Sequence, residues 1–308
     1  MNRLLTRAAI AVLTCITASH ADSATSPRVK SGDKICFIGD SITAMGTRNP
    51  YGYVQMAVAG LNANGIDVEW KSNCGGGQTS QGVLERFMPA TLAYKPNFVS
   101  IVIGTNDVGH QKVAKSGTVS EGTNGVFLPR HKANYRAFTD KFTDAGISVL
   151  ILTPPPHGEP RTSERDLRLL PYVAFLKEFA KEKGYPLVDL HGMMRTEINQ
   201  RATATGETPK YIVTCDGCHM NPIGDMIMAK AILQGYGLTE AQIQKAESHW
   251  LNERNPPVKI DSQHLPVSVA KKFESLSSEQ QAAVKLAFAK VMESEIAKAS
   301  TQTEAVTK

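Results

Sequence analysis

Apolar positions in this chain come in short blocks rather than in one long stripe. Ile35-Cys36-Phe37-Ile38 is an unbroken apolar run stopped by Gly39, the pattern of a buried strand. Shorter or longer runs of the same kind lie at 68–70, 98–103, 147–152 and 187–190, the third of these five being β-branched and unbroken. Between them the apolar period changes to that of a helix. From Pro50, Tyr53, Met56, Ala57 and Leu61 recur at helical spacing until Asn64-Gly65. Helices are also predicted over 80–94, with Pro89 able to kink it, and over 131–145, 167–183 and 193–201. A last helix opens at Pro222, runs through Leu233 and closes at Gly235 or Gly237. Five apolar strands separated by helices predict a three-layer α/β sandwich around a five-stranded parallel sheet, assigned to residues 34–237. Residues 109–125 form a polar, glycine-rich loop long enough to suggest a functional segment.

The pattern changes after Gly237. Thr239 with Gln242, and Ser277 with Gln280, have capping-box spacing. Val284, Phe288, Met292 and Ile296 form an i, i+4 stripe with Val291 beside it, and Pro256-Pro257 and Pro266 separate two helical pieces. Residues 238–300 read as a helical C-terminal extension docked on the main domain, and 301–308 as a disordered tail.

The other end reads as an address. Arg3 and Arg7 flank an almost wholly apolar stretch, 8–18, followed by Ser19-His20-Ala21 with small residues where signal peptidase needs them. That stretch is about half a bilayer span. Residues 1–21 are therefore expected to be a cleaved signal peptide, 22–33 a linker, and the protein secreted or periplasmic with no membrane segment left. Lipidation at Cys15 is the weaker reading, because Thr14 precedes it. The formal net charge is +5, and two of those charges are Arg3 and Arg7. The remaining Lys and Arg are scattered among acids, which argues against a nucleic-acid partner. With 42% apolar and 20% charged residues, the chain also falls outside the disordered and collagen-like classes.

Candidate chemistry follows the strands. Gly39-Asp40-Ser41-Ile42 comes directly after the first. A serine hydroxyl is a poor nucleophile until a base takes its proton, and that base is commonly a His held by a carboxylate. Asp216 and His219, in Cys215-Asp216-Gly217-Cys218-His219, are spaced so that one turn could deliver both. Gly75-Gly76-Gly77 can bring a backbone N–H close to a substrate, and Asn106 in Gly104-Thr105-Asn106-Asp107 adds a neutral side-chain donor for a developing oxyanion. Each motif alone has an ordinary structural explanation as a cap, a glycine turn or an Asx-turn. Their order, each beyond a strand end, is the specific signal, because ligands of parallel sheets gather at the carboxyl ends of the strands.

On these residues the chain resembles the SGNH, or GDSL-type, hydrolases. The first family block is similar to 37–43, the second to 73–79, the third to Gly104-Thr105-Asn106-Asp107, and the last to Asp216-Gly217-Cys218-His219 with Asn221-Pro222-Ile223-Gly224 after it. The resemblance covers roughly 34–235. It implies a flavodoxin-like sheet, no metal or other cofactor, and ester hydrolysis with Ser41, Asp216 and His219 as triad. The implied oxyanion hole is Ser41, Gly77 and Asn106, with Gly76 as the alternative glycine because the second block is one residue short, and with Asp40 and Asp107 supporting. The polar loop at 109–125, with Gln111, Lys112 and Asn124, favours a hydroxyl-rich ligand, hence removal of short acyl groups such as acetyl from a small carbohydrate or polysaccharide ester. The alternatives are a lipase or thioesterase for longer acyl groups, and a non-catalytic carbohydrate-binding relative. Four cysteines follow the signal peptide: Cys36, Cys74, Cys215 and Cys218. In an exported chain Cys215 and Cys218 could form a disulfide that stiffens the catalytic turn. A zinc site there lacks a second ligand pair, and a thiol–disulfide exchange site would be expected after the first strand instead.

Overall fold

The computed structural model describes residues 28–49, 51–206, 210–253 and 277–278. The expected signal peptide, half of the linker (22–27), the stripe at 284–296 and the tail therefore lie outside the described residues. Five parallel strands form one sheet: β1 (Lys34–Gly39), β2 (Glu69–Cys74), β3 (Phe98–Val102), β6 (Ser148–Leu152) and β7 (Leu187–Val188), in the order β2-β1-β3-β6-β7. This is the flavodoxin-like order, which reverses between β1 and β3 and opens a crevice at their carboxyl ends. The register levels those ends: Gly39 pairs with Cys74 on one side and Val102 on the other, and Val102 pairs with Leu152. Loops leaving four strands thus start on one rim.

Both sheet faces are covered, which is why the strands read as unbroken apolar runs. Along β1 the side chains alternate. Ile35 and Phe37 enter a core that includes Tyr53 and Leu61 of α2 (Tyr53–Ala63), Met194 of α8 (Leu190–Thr205) and Ile232 of α9 (Pro222–Gly235). Cys36 and Ile38 enter the opposite core, with Phe138 and Phe142 of α6 (Leu128–Asp144) and Phe179 of α7 (Glu164–Lys183). The helix expected from the Thr239 cap is α10 (Glu240–Glu253); Gln242 N–H donates to Thr239 Oγ1 at 3.3 Å and Thr239 N–H to Gln242 Oε1 at 2.8 Å. Ile243, Ala246 and Trp250 of α10 join the α2–α9 core. They close so tightly on Gly60 that a Cβ there would lie 2.8 Å from Leu233 and 3.0 Å from Trp250.

Several local expectations change. Ser41 opens a helix, α1 (Ser41–Arg48), that the apolar pattern did not reveal. The predicted helix at 80–94 is three segments, α3 (Ser80–Gly82), a π-helical turn (Val83–Phe87) and α4 (Met88–Tyr94). The widened turn falls just before Pro89, which has no N–H to continue the ladder. The loop at 109–125 follows α5 (Thr105–Gly109) and holds a short antiparallel hairpin, β4 (Lys112–Val113) with β5 (Val119–Ser120).

Candidate active site

The rim carries the predicted groups. At the end of β1, Gly39 has no alternative: a Cβ would fall 1.8 Å from Thr43 Oγ1 and 3.1 Å from the Val102 carbonyl oxygen. Asp40 caps α1 by accepting the Ile42 N–H at 2.9 Å, and Ser41 is the first helical residue. The first N–H groups of a helix have no intrahelical acceptor, so the Ser41 N–H is left for another partner.

The loop before α9 brings the other two groups. A bridge between Thr214 and Met220 and the Cys215 N–H···O His219 bond (2.8 Å) close a tight turn, with Gly217 at φ +88°. Asn221 caps α9 by accepting from Ile223 and Gly224 N–H, and its amide donates back to the carbonyls of Tyr211 and Ile212. Inside the turn, Asp216 Oδ1 accepts the N–H groups of Cys218 (2.9 Å) and His219 (2.8 Å), and Oδ2 lies 2.7 Å from His219 Nδ1. Burial alone would raise the Asp216 carboxyl, but the His219 ring and backbone N–H hold it below its usual range. An ionised carboxylate only accepts, so Nδ1 carries the imidazole proton. The Nε2 lone pair then faces Ser41 Oγ at 2.9 Å. Residues 175 positions and more apart in the chain stand in one hydrogen-bonded row.

The candidate oxyanion donors lie on the neighbouring loops, after β2 and β3. Gly77 adopts φ +70°, whereas Gly76 needs no left-handed backbone and a Cβ on it would meet open space. Of the two candidate glycines, only Gly77 is required as glycine by its backbone. Asn106, in α5, donates from Nδ2 to Asp40 Oδ2 at 3.2 Å and to the Gln78 carbonyl at 3.1 Å. Gly104, at φ +136°, sets the approach of that helix against Pro154. Asp107 is fully buried and accepts from Ser80 N–H (3.0 Å), Ser80 Oγ and His131 Nδ1 (2.8 Å), so it bolts α5 to α3 and α6 rather than facing the cleft. Asp40 is buried too; burial pushes its carboxyl up to about 7, against the pull of the Ile42 N–H and nearby His219.

Some expectations are corrected. Cys215 and Cys218 are free thiols, as are Cys36 and Cys74. The Cys215 Sγ turns to the carbonyls of His219 (3.4 Å) and Met220 (3.7 Å) instead of to Cys218. Burial raises both thiols well above their ordinary range, the reverse of what thiol exchange needs. Gln111 does not face a ligand: its amide donates to Tyr172 Oη at 3.0 Å and the Val126 carbonyl at 3.5 Å, while Lys112 and Asn124 are exposed. Sequence reasoning also missed residues after β6. His157 packs against Gly109, where a Cβ would lie 3.0 Å from its Cε1, and burial with Arg165 beside it lowers its imidazole to about 4. Glu159, Asp166 and Arg195 form a buried polar cluster with it. The abrupt Thr153-Pro154-Pro155-Pro156 end of that strand was the available hint.

A doubly wound sheet with these polar groups on its carboxyl rim defines the protein as an α/β carboxylic ester hydrolase. The chain belongs to the GDSL-like lipase/acylhydrolase family, whose model matches residues 37–227. An acetylxylan esterase from Geobacillus stearothermophilus is 28% identical over 225 residues, covering 68% of this chain and 96% of that protein. The crystal structure of Axe2, an acetylxylan esterase from the same organism, aligns with TM-score 0.57 at 25% identity over 69% of this chain and 97% of that one. The acetyl xylan esterase AlAXEase aligns with TM-score 0.58 at 26% identity over 65% and 98%.

Proposed function

We propose that this chain is an exported esterase that removes acetyl groups from carbohydrate through Ser41, His219 and Asp216. The row Asp216 Oδ2–His219–Ser41 Oγ, with steps of 2.7 and 2.9 Å, carries this reading. Ser41 Oγ attacks the ester carbonyl carbon as its proton passes to His219 Nε2, and Asp216 stabilises the resulting imidazolium. The oxyanion takes the N–H groups of Ser41 and Gly77 and one proton of Asn106. Both protons of that amide are already engaged, so the oxyanion displaces the Gln78 carbonyl, while Asp40 keeps the amide oriented. The carbon–oxygen bond to the sugar breaks as His219 protonates the departing hydroxyl. Water, activated by the same base, then releases acetate and restores Ser41.

The substrate class is supported by the acetylxylan esterases among the relatives and by the polar hairpin at the rim. Export is supported by the composition of 1–21, and secreted protein should begin at Asp22. Ser41→Ala should lower turnover of an acetylated xylooligosaccharide and of p-nitrophenyl acetate by about 10⁴-fold or more, with an unchanged circular dichroism spectrum. Activity within tenfold of wild type would refute the assignment. Across esters of rising acyl length, kcat/KM should be highest for acetate; a maximum at long chains would replace the deacetylase reading by the lipase one.

A further inference from the structure

The polar cluster after β6 is not part of the row that ends on Ser41, yet it is where the loop carrying that row is anchored. Glu159 is 2% exposed. Its Oε1 accepts the N–H groups of Val213 (2.9 Å) and Thr214 (2.8 Å) and the Thr214 hydroxyl (2.8 Å); its Oε2 accepts the Ile212 N–H at 2.7 Å. Three successive backbone N–H groups converge on one carboxylate, just after Tyr211 in the left-handed region at φ +58°. Successive N–H groups in such a turn form a concavity for an anion, and here the anion is a side chain of the same protein.

The attachment reaches the catalytic turn directly. Because the Thr214 hydroxyl gives its proton to Glu159, its oxygen can accept the Gly217 N–H, at 3.1 Å. The Gly217 carbonyl in turn accepts the Gly158 N–H at 2.7 Å. Among the described residues, the hydrogen bonds that tie 212–217 to chain outside 211–221 all run to Gly158 and Glu159. Those two residues are fixed from behind: Arg195 of α8 donates to the carbonyls of Gly158 (2.7 Å) and Glu159 (2.5 Å) and pairs with Asp166 (2.5 Å), which also accepts the His157 N–H (2.8 Å).

We propose that Glu159 is a positioning residue that sets the distance between His219 and Ser41. The inference rests on the triad assigned above. His219 and Ser41 belong to different elements, and their 2.9 Å approach depends on where the 212–217 segment is held against the sheet. A displacement of about 1 Å can cost about 10²-fold in rate, so a latch on the segment acts on kcat while leaving substrate contacts alone. No neutral side chain reproduces the set: glutamine would aim a donor at one of the converging N–H groups.

The test compares wild type, Glu159→Gln, Thr214→Val and Ser41→Ala on an acetylated xylooligosaccharide, with sites counted by a covalent serine inhibitor where Ser41 is kept and Ser41→Ala normalised to folded protein. Glu159→Gln should lower kcat per titrated site by about 10- to 100-fold with KM within about twofold. It should also shift or broaden the downfield proton resonance of His219 Nδ1–H. Thr214→Val should do the same to a smaller degree. A kcat per titrated site within about twofold of wild type in Glu159→Gln overturns the proposal, because the loss would then be one of folding alone. So does a rise in KM with kcat unchanged. Should Glu159→Gln fail to fold, Thr214→Val decides by the same readouts, an unaltered kcat and resonance counting against the latch. Activity surviving in Ser41→Ala would instead sink the triad reading, so the two failures are distinguishable.

Discussion

Asp216→Asn isolates what the carboxylate does for His219. Asp216 accepts three N–H groups: two backbone ones on Oδ1, and His219 Nδ1–H on Oδ2. Asparagine keeps an oxygen for the backbone pair, so the turn is preserved. Its amide nitrogen takes the place of Oδ2 and cannot accept. The imidazole must then move its proton to Nε2, which faces Ser41 Oγ at 2.9 Å. A protonated Nε2 cannot receive the serine proton. If Asp216 supplied no more than a charge-assisted hydrogen bond, its loss would cost about 1.5–3 kcal/mol, or about 10- to 150-fold. Fixing the wrong tautomer is far more damaging, about 10⁴-fold, or about 5.5 kcal/mol of barrier at about 1.4 kcal/mol per decade. Steady-state kcat on p-nitrophenyl acetate at neutral pH, normalised to folded protein, separates the two. A fall beyond about 10³-fold supports control of the tautomer; one below about 10²-fold refutes it.

Two further predictions follow from the rim. Gly77→Ala places a Cβ at φ +70° and 3.4 Å from the His110 ring, so it should lose about 1–2 kcal/mol of stability and most of its turnover, while Gly76→Ala, facing open space, keeps both; equal melting temperatures and activities for the pair would reassign the oxyanion glycine. Burial raises the Asp40 carboxyl to about 7 from 3.8, so folded protein holds a proton that unfolded chain releases. The associated stability is full at low pH and lost as pH rises through 7, and the melting temperature should decline over that interval in wild type but less in Asp40→Asn. Parallel curves would show that Asp40 is not the titrating group.

Much of the site is legible in the sequence because its parts are local. Asp40-Ser41 had to be the turn after an apolar run, and Asp216 reaches His219 within one turn. Gly77 before Gln78 required only a backbone that side chains resist. What could not be read is what those parts touch. Gln111 is polar and rim-adjacent, and only packing against Tyr172 shows that its amide is already engaged. Asp107 sits beside Asn106 in sequence but points away from it, into Ser80 and His131. Glu159 carries no motif at all, because its partners are backbone N–H groups, which every sequence has.

The order of apolar runs and the candidate reacting groups were legible in the sequence by itself, since strand period, glycine need and proton chemistry are properties of residue types and spacing. The tertiary structure decided the rest. Parallel register levelled the ends of β1, β2 and β3 on one rim, and a buried carboxylate became the seat of the loop that brings His219 to Ser41. Those outcomes depend on groups more than thirty positions apart meeting at hydrogen-bond distance, and no local pattern encodes a distance through space.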